Sequence, residues 1–217
     1  MKHALVAVAA AMLPAEASSV SAGIGDTPLS LERVFANPPL AGQVPRALTI
    51  SPDGGHIAYL KPRADDQMRF DLWVRPTAGG EERMAVDSLA LSPGDVALSE
   101  AELARRERAR LAGTRGITEY RWAPDGLRLL VPLDGDVWLA PLAGAPRRLT
   151  QSDDSEVDAK ISPRGRYVSW VRGQNLYVLD LETGRERRMT RDGGGAISWG
   201  LPEFVAEEEM KRTTGSW

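Results

Sequence analysis

Short runs of hydrophobic residues, separated by turn-forming residues, dominate the chain from residue 47 onward. Three stretches share one layout: an apolar segment, a tight turn that contains proline and glycine, and a second apolar segment. The turns lie at residues 51–54, 123–126 and 162–165. Proline sets the first corner of such a turn, and glycine supplies the positive φ that follows. Each stretch therefore predicts a β-hairpin.

A second pair of strand-like segments follows each hairpin, so that each unit contains four strands. The third strand of each unit carries an apolar residue followed by an aromatic one. These aromatic residues are Trp73, Trp138 and Tyr177. Pro124 and Pro163, which open the second and third turns, are 39 residues apart, and one propeller blade takes about 40 residues. We predict an all-β fold, a partial β-propeller of about three and a half four-stranded blades over residues 47–217.

A helical insertion at residues 98–113 lies between the first two units. Ser99 is its predicted N-cap, Glu102 completes a capping box, and Gly113 ends the helix. Charged residues recur at intervals of four along it, which suits either a solvated helix or an interface helix. A second, short acidic helix is predicted at residues 202–212, where three glutamates are adjacent.

The N-terminus has the features of a secretory signal. Residues 1–17 contain a short polar start, an apolar run and a small-x-small cleavage site. Cleavage is expected after Ala17, with Ala22 as the alternative, and an uncleaved anchor is the other interpretation. Residues 18–46 are then a leader with a short helix. The mature chain is expected to be periplasmic or secreted.

Composition excludes several classes of function. The chain has 217 residues, a hydrophobic fraction of 42%, a net charge of −3 and no cysteine. This length predicts one domain. Without a basic stripe there is no reason to expect nucleic acid as a partner, and no further segment is long and apolar enough to predict a membrane span. No cofactor is expected, and no metal, because the acidic triplet has no second cluster at ligand spacing.

The acidic helix contains the most specific motif in the sequence. Residues 203–210 read EFVAEEEM, and residues 213–217 read TTGSW. With the repeated hairpins and the helical insertion, these residues resemble the N-terminal propeller of bacterial dipeptidyl peptidase IV, in the prolyl oligopeptidase family of serine peptidases. The resemblance runs from about Leu48 to Trp217.

The resemblance implies how the acidic helix is used. Glu208 and Glu209 match the two carboxylates that hold the free amino terminus of a peptide substrate in that family. The family also uses an arginine from the early insertion to hold the peptide carbonyl and orient the acidic pair. Arg106 is the first candidate for that role, with Arg105 and Arg110 as alternatives. Without the resemblance, the three adjacent glutamates indicate a solvated helix face with i, i+4 ion pairs from residue 207 to 211 and from 208 to 212.

The catalytic part of such a peptidase is not encoded in these residues. A serine elbow of the form G-x-S-x-G does not occur, and His56 is the one histidine that would remain after removal of the signal. We therefore expect the α/β-hydrolase domain and its Ser-Asp-His triad to be absent, and the chain to be inactive alone. Full-length family members are expected to be homodimers.

The expected function is that of an N-terminal fragment of a secreted exopeptidase that releases Xaa-Pro or Xaa-Ala dipeptides. Another exopeptidase of the same family, with a different side-chain preference, is a weaker option. The alternative from a different class is a non-catalytic, TolB-like periplasmic propeller that binds a protein partner.

Overall fold

The structure, a computed structural model, describes residues 29–36, 40, 42–94 and 96–216. The predicted signal peptide and its cleavage sites lie outside this part of the chain. The described residues are mostly β and form three sheets, whose consecutive strands pair antiparallel, with four short helices. None of these helices is long and apolar enough to cross a membrane.

Each sheet is built from strands that follow one another along the chain. The first contains β1 (Arg46–Ile50), β2 (His56–Pro62), β3 (Arg69–Pro76) and β4 (Arg83–Val86), and β5 (Arg115–Gly116) adds parallel to β3. The second contains β6 (Arg121–Trp122), β7 (Arg128–Leu133), β8 (Asp136–Pro141) and β9 (Arg147–Arg148). The third contains β10 (Val157–Ile161), β11 (Tyr167–Arg172), β12 (Asn175–Asp180) and β13 (Glu186–Arg188). The three predicted hairpins and the four-stranded units are thus confirmed, while β5 was not predicted.

The hairpin turns have the hydrogen bonds and the positive glycine φ that the proline–glycine pattern predicts. The N–H of Gly126 donates to the carbonyl of Ala123 at 3.0 Å, and that of Gly165 donates to Ser162 at 2.7 Å. Both glycines have a φ of +68°, which a residue with a Cβ adopts only with strain. The proline–glycine pattern therefore fixes where the first two strands of these sheets turn.

The middle sheet separates two hydrophobic cores. Leu129 and Val131 of β7 pack toward the first sheet, whereas Leu130, between them, packs toward the third. All three side chains are fully buried. Because successive residues of a strand point to opposite faces, an unbroken apolar run is what a sheet covered on both sides requires.

The insertion helix and the acidic helix are both shorter than their predicted ranges, and a helix at Ser88–Leu91 was not predicted. The four helices of the described residues are α1 (Leu31–Phe35), α2 (Ser88–Leu91), α3 (Glu100–Arg108) and α4 (Phe204–Glu208). Ser99 caps α3 as predicted, since its hydroxyl accepts from the N–H of Glu102 at 3.3 Å. The other half of the predicted capping box, a hydrogen bond from the Ser99 N–H to the Glu102 carboxylate, is wrong. The N–H of Ser99 donates to the hydroxyl of Ser155 at 3.2 Å, because the Glu102 carboxylate bonds to two arginines instead.

Candidate functional site

A cavity of about 420 Å³ lies between α3, the first strand of the third sheet and the segment that carries α4. Its polar lining is balanced, with four cationic and four anionic side chains. They are Arg105, Arg108, Arg121 and Lys211, and Glu119, Asp158, Glu207 and Glu208. Apolar atoms of Leu111, Val157 and Leu201 line the cavity as well. The cavity brings the insertion helix and the acidic helix together, although they are about 100 residues apart in sequence.

The acidic helix is a single capped turn. The Glu203 carboxylate accepts from the N–H groups of Val205 at 2.9 Å and Ala206 at 3.2 Å, as an N-cap does. The helix ends at Glu208, with Glu209 as its C-cap. No residue of α4 is buried.

The three adjacent glutamates have different surroundings. Glu207 contacts α3: its side chain is 15% exposed, and its Oε2 is 2.9 Å from Nε of Arg108. Glu208 is exposed and lines the cavity. Glu209 is exposed and lies outside the cavity lining. Among the residues that the structure describes, neither Glu208 nor Glu209 forms an ion pair.

The structure does not contain the i, i+4 ion pairs of a solvated helix. Such pairs need the helix to continue to residue 212, but α4 ends at Glu208 and Lys211 is left-handed, with a φ of +55°. The ammonium of Lys211 donates instead to the carbonyl of Glu208 at 3.2 Å. Glu207 pairs with Arg108 on another helix.

On α3, Glu102 organises two arginines. Its carboxylate accepts from Nε of Arg105 at 2.7 Å and from Nε of Arg106 at 2.8 Å. Burial by itself would raise the pKa of Glu102, but the two guanidinium groups outweigh burial and lower it. Burial likewise opposes the charge of Arg105, yet the Glu102 hydrogen bond and the charges of Glu119 and Glu207 raise its pKa.

The three candidate arginines are placed differently. Arg106 is 5% exposed, and its guanidinium donates to the Thr114 carbonyl at 3.1 Å; the group lies outside the cavity lining. Arg105 lines the cavity, where its Nη1 is 3.5 Å from Glu119. Arg110 is exposed and is not part of the lining. Of the three, Arg105 is the one that shares the cavity with Glu208.

The opposite wall contains a charged residue that sequence reasoning missed. Asp158 adopts a φ of +54° at the irregular start of β10. Its Oδ2 lies 2.8 Å from the ammonium of Lys160 and its Oδ1 lies 3.9 Å from Arg121. Burial raises the pKa of Asp158, and the two cations counteract this only in part. The sequence repeat could have identified Asp158, because Glu119 and Asp158 both lie four residues before the turn of their hairpin.

No cluster of three or more potential metal ligands was found among the described residues. Most charged groups at the cavity form cation–anion contacts, the Lys211 ammonium donates to the Glu208 carbonyl, and Glu208 is the exposed carboxylate. This arrangement suits a ligand that brings a positive charge.

Comparisons with known proteins agree with the resemblance seen in the sequence. Residues 123–217 match the family described as "Dipeptidyl peptidase IV (DPP IV) N-terminal region". "Probable dipeptidyl-aminopeptidase B" of Pyrenophora tritici-repentis is 33% identical over 67 residues, which is 30% of this chain and 8% of that protein. "Dipeptidyl-aminopeptidase B" of Aspergillus niger is 24% identical over 204 residues, which is 84% of this chain and 20% of that protein.

A solved structure shares the fold. The crystal structure of Porphyromonas gingivalis dipeptidyl peptidase 4 superposes with a TM-score of 0.50 and 24% identity, over 78% of this chain and 23% of that one. The chain thus spans a fifth or less of the length of these two relatives and under a quarter of the solved chain. Residues 123–217, the part of the chain that matches the dipeptidyl peptidase IV N-terminal region family, include the acidic helix and the cavity wall formed by β10.

Proposed function

We propose that this chain is the part of a secreted or periplasmic dipeptidyl peptidase that binds the free amino terminus of a peptide substrate. The three sheets would be consecutive blades of a β-propeller, and the cavity would open toward its channel. Glu208 is the principal ligand of the ammonium group, Glu209 is the second, and Arg105 faces the first carbonyl of the peptide.

The observation that carries the proposal is the contrast between Glu208 and its neighbours. Glu207 and Arg108 pair with each other, and Arg105 pairs with Glu102. Glu208 lines the same cavity but forms no ion pair with a described residue. An exposed carboxylate at the edge of a partly apolar cavity can form a charge-assisted hydrogen bond with an ammonium group, which is stronger than a neutral one.

The proposal also accounts for a preference for the amino terminus. It requires that the residues which follow the bound ammonium group point away from α4. An extension before that amine would have to pass through the helix that carries the carboxylate. The site would therefore accept a free amino terminus and exclude an internal segment of a longer chain.

The experiment compares two peptides on the complete gene product that contains this chain, with its serine nucleophile replaced by alanine so that Ala-Pro-Ala is bound but not hydrolysed. Isothermal titration with Ala-Pro-Ala is expected to show binding, and its N-acetylated form, which lacks the ammonium group, is expected to bind at least tenfold more weakly. Glu208→Gln should weaken binding of the free peptide by roughly 10- to 100-fold, because a hydrogen bond to a charged group contributes about 1.5–3 kcal/mol. The double variant Glu208→Gln, Glu209→Gln should abolish measurable binding.

Glu81→Gln is the matched control, because Glu81 is an exposed glutamate on the turn before β4 and lies outside the cavity lining. It should bind both peptides as the unmodified protein does. Equal affinity for free and acetylated peptides, or a Glu208→Gln variant with unchanged affinity, would contradict the proposal. That result would favour the binding of a folded protein partner instead.

A further inference from the structure

The acidic helix is held in place with little hydrophobic packing. It has five residues and none of them is buried. Its first two side chains, Phe204 and Val205, are 63% and 53% exposed. Since helices in proteins are stabilised mostly by packing of an apolar face, polar contacts must contribute much of what fixes the orientation of α4.

The insertion helix, in contrast, is firmly anchored to the sheets. Glu102 and Arg106 are only 6% and 5% exposed. Arg106 donates to the Thr114 carbonyl at 3.1 Å, and its guanidinium lies 3.6 Å from Asp134, next to β8. The helix α3 can therefore serve as a fixed reference for a neighbour that packs less well.

One ion pair connects the fixed helix to the loosely packed one. Arg108 is the last residue of α3, and its Nε lies 2.9 Å from Oε2 of Glu207. The Glu207 side chain is 15% exposed and the Arg108 side chain 33%, so that the pair is partly shielded from water. Arg105 adds a second positive charge that interacts with Glu207.

We propose that Arg108 and Glu207 form a tether that orients the acidic helix, and that Glu207 is a positioning residue rather than a third amine ligand. Successive residues of an α-helix are rotated by about 100° from one another. Binding Glu207 to α3 therefore fixes the direction of the next side chain, Glu208, which lines the same cavity. The role of Glu208 as the residue that the tether positions rests on the proposed function. The tether itself does not.

Hydrogen exchange tests the tether without any ligand. Arg108→Gln and Glu207→Gln should each speed amide exchange of residues 204–209 by roughly two- to fivefold, the range for a partly exposed ion pair. The charge-swapped double variant Arg108→Glu, Glu207→Arg should restore the slower exchange. Arg164→Gln, at the exposed tip of the β10–β11 hairpin, is the control and should leave exchange in this segment unchanged. Unchanged exchange in both single variants would overturn the tether.

Peptide affinity then separates a positioning role from a ligand role. Glu207→Gln should weaken binding of Ala-Pro-Ala by roughly two- to fivefold, and Arg108→Gln, which keeps the Glu207 carboxylate but breaks the ion pair, should weaken it equally. If Glu207→Gln weakens binding and Arg108→Gln does not, Glu207 is itself a ligand and the positioning role is wrong. A Glu208→Gln variant with unchanged affinity would instead contradict the proposed function and leave the exchange result as the test of the tether.

Discussion

At the scale of single residues, Glu102 determines the arrangement of α3. The residue is 6% exposed, and its carboxylate accepts hydrogen bonds from both Arg105 and Arg106. Removal of one member of a buried ion-pair network leaves the other members buried without compensation. The residue therefore supports the cavity wall although it does not line it.

We expect Glu102→Gln to lower the free energy of unfolding by about 3 kcal/mol at neutral pH. The effect should depend on pH. Since the pKa of Glu102 is lowered from 4.5 in the folded protein, its contribution is present above pH 4.5 and is lost as the pH falls through the folded-state pKa. Urea unfolding at pH 7 and at pH 3 measures this, and the two proteins should differ less at pH 3. A difference that is equal at both pH values would contradict the role of the charge.

The spacing of charged residues on α3 does not determine which of its arginines lines the cavity. Glu102, Arg106 and Arg110 share one spacing, and the spacing does not tell which face of the helix is buried. The structure buries Glu102 and Arg106 together because each satisfies the charge of the other. This places the neighbouring Arg105, rather than Arg106, at the cavity.

At the scale of elements, a repeated hydrogen bond connects the third strand of the second and third sheets to the segment that follows the fourth strand. The N–H of Val137 on β8 donates to the hydroxyl of Thr150 at 2.8 Å, and the N–H of Leu176 on β12 donates to that of Thr190 at 3.0 Å. Each threonine follows the last strand of its sheet by two residues. The contact therefore joins the end of each unit to its third strand.

Thr150→Val should lower the free energy of unfolding by about 1–3 kcal/mol, because it leaves the Val137 N–H without its acceptor in a buried position. Valine has nearly the same shape as threonine, so that packing changes little. Thr183→Val, in an exposed turn, is the control and should change stability by less than about 0.5 kcal/mol. Chemical denaturation measures both, and equal effects of the two variants would show that the contact contributes nothing.

Elements were predicted well where their determinants are local. The hairpins depend on proline and glycine within four residues, and all three were found. The acidic helix was predicted as residues 202–212 and observed at Phe204–Glu208. Its end depends on the chain turning at Lys211 and on contacts with α3, which lie outside any local pattern.

At the scale of the whole molecule, the two cores make the three sheets dependent on one another. The middle sheet has apolar residues on both faces, and each face completes a core with a different neighbour. A defect in the middle sheet should therefore weaken both outer sheets.

Leu130→Ala, at a fully buried position of β7, should lower the free energy of unfolding by about 3 kcal/mol. Leu127→Ala, where the side chain is 56% exposed, should change it by less than about 0.5 kcal/mol. Circular dichroism and tryptophan fluorescence should report one coincident transition for each protein. Two separate transitions would mean that the sheets unfold independently.

The order of the strands has a consequence for how the protein is made. The four strands of the repeated unit pair in the order in which they leave the ribosome, so that each four-stranded unit needs only about 40 residues of emerged chain; β5 joins the first sheet later. Hairpins form in microseconds, whereas a ribosome adds roughly 5–20 residues per second. We expect each sheet to be complete before the next is synthesised, with the apolar face of the finished sheet acting as the surface on which the following one condenses.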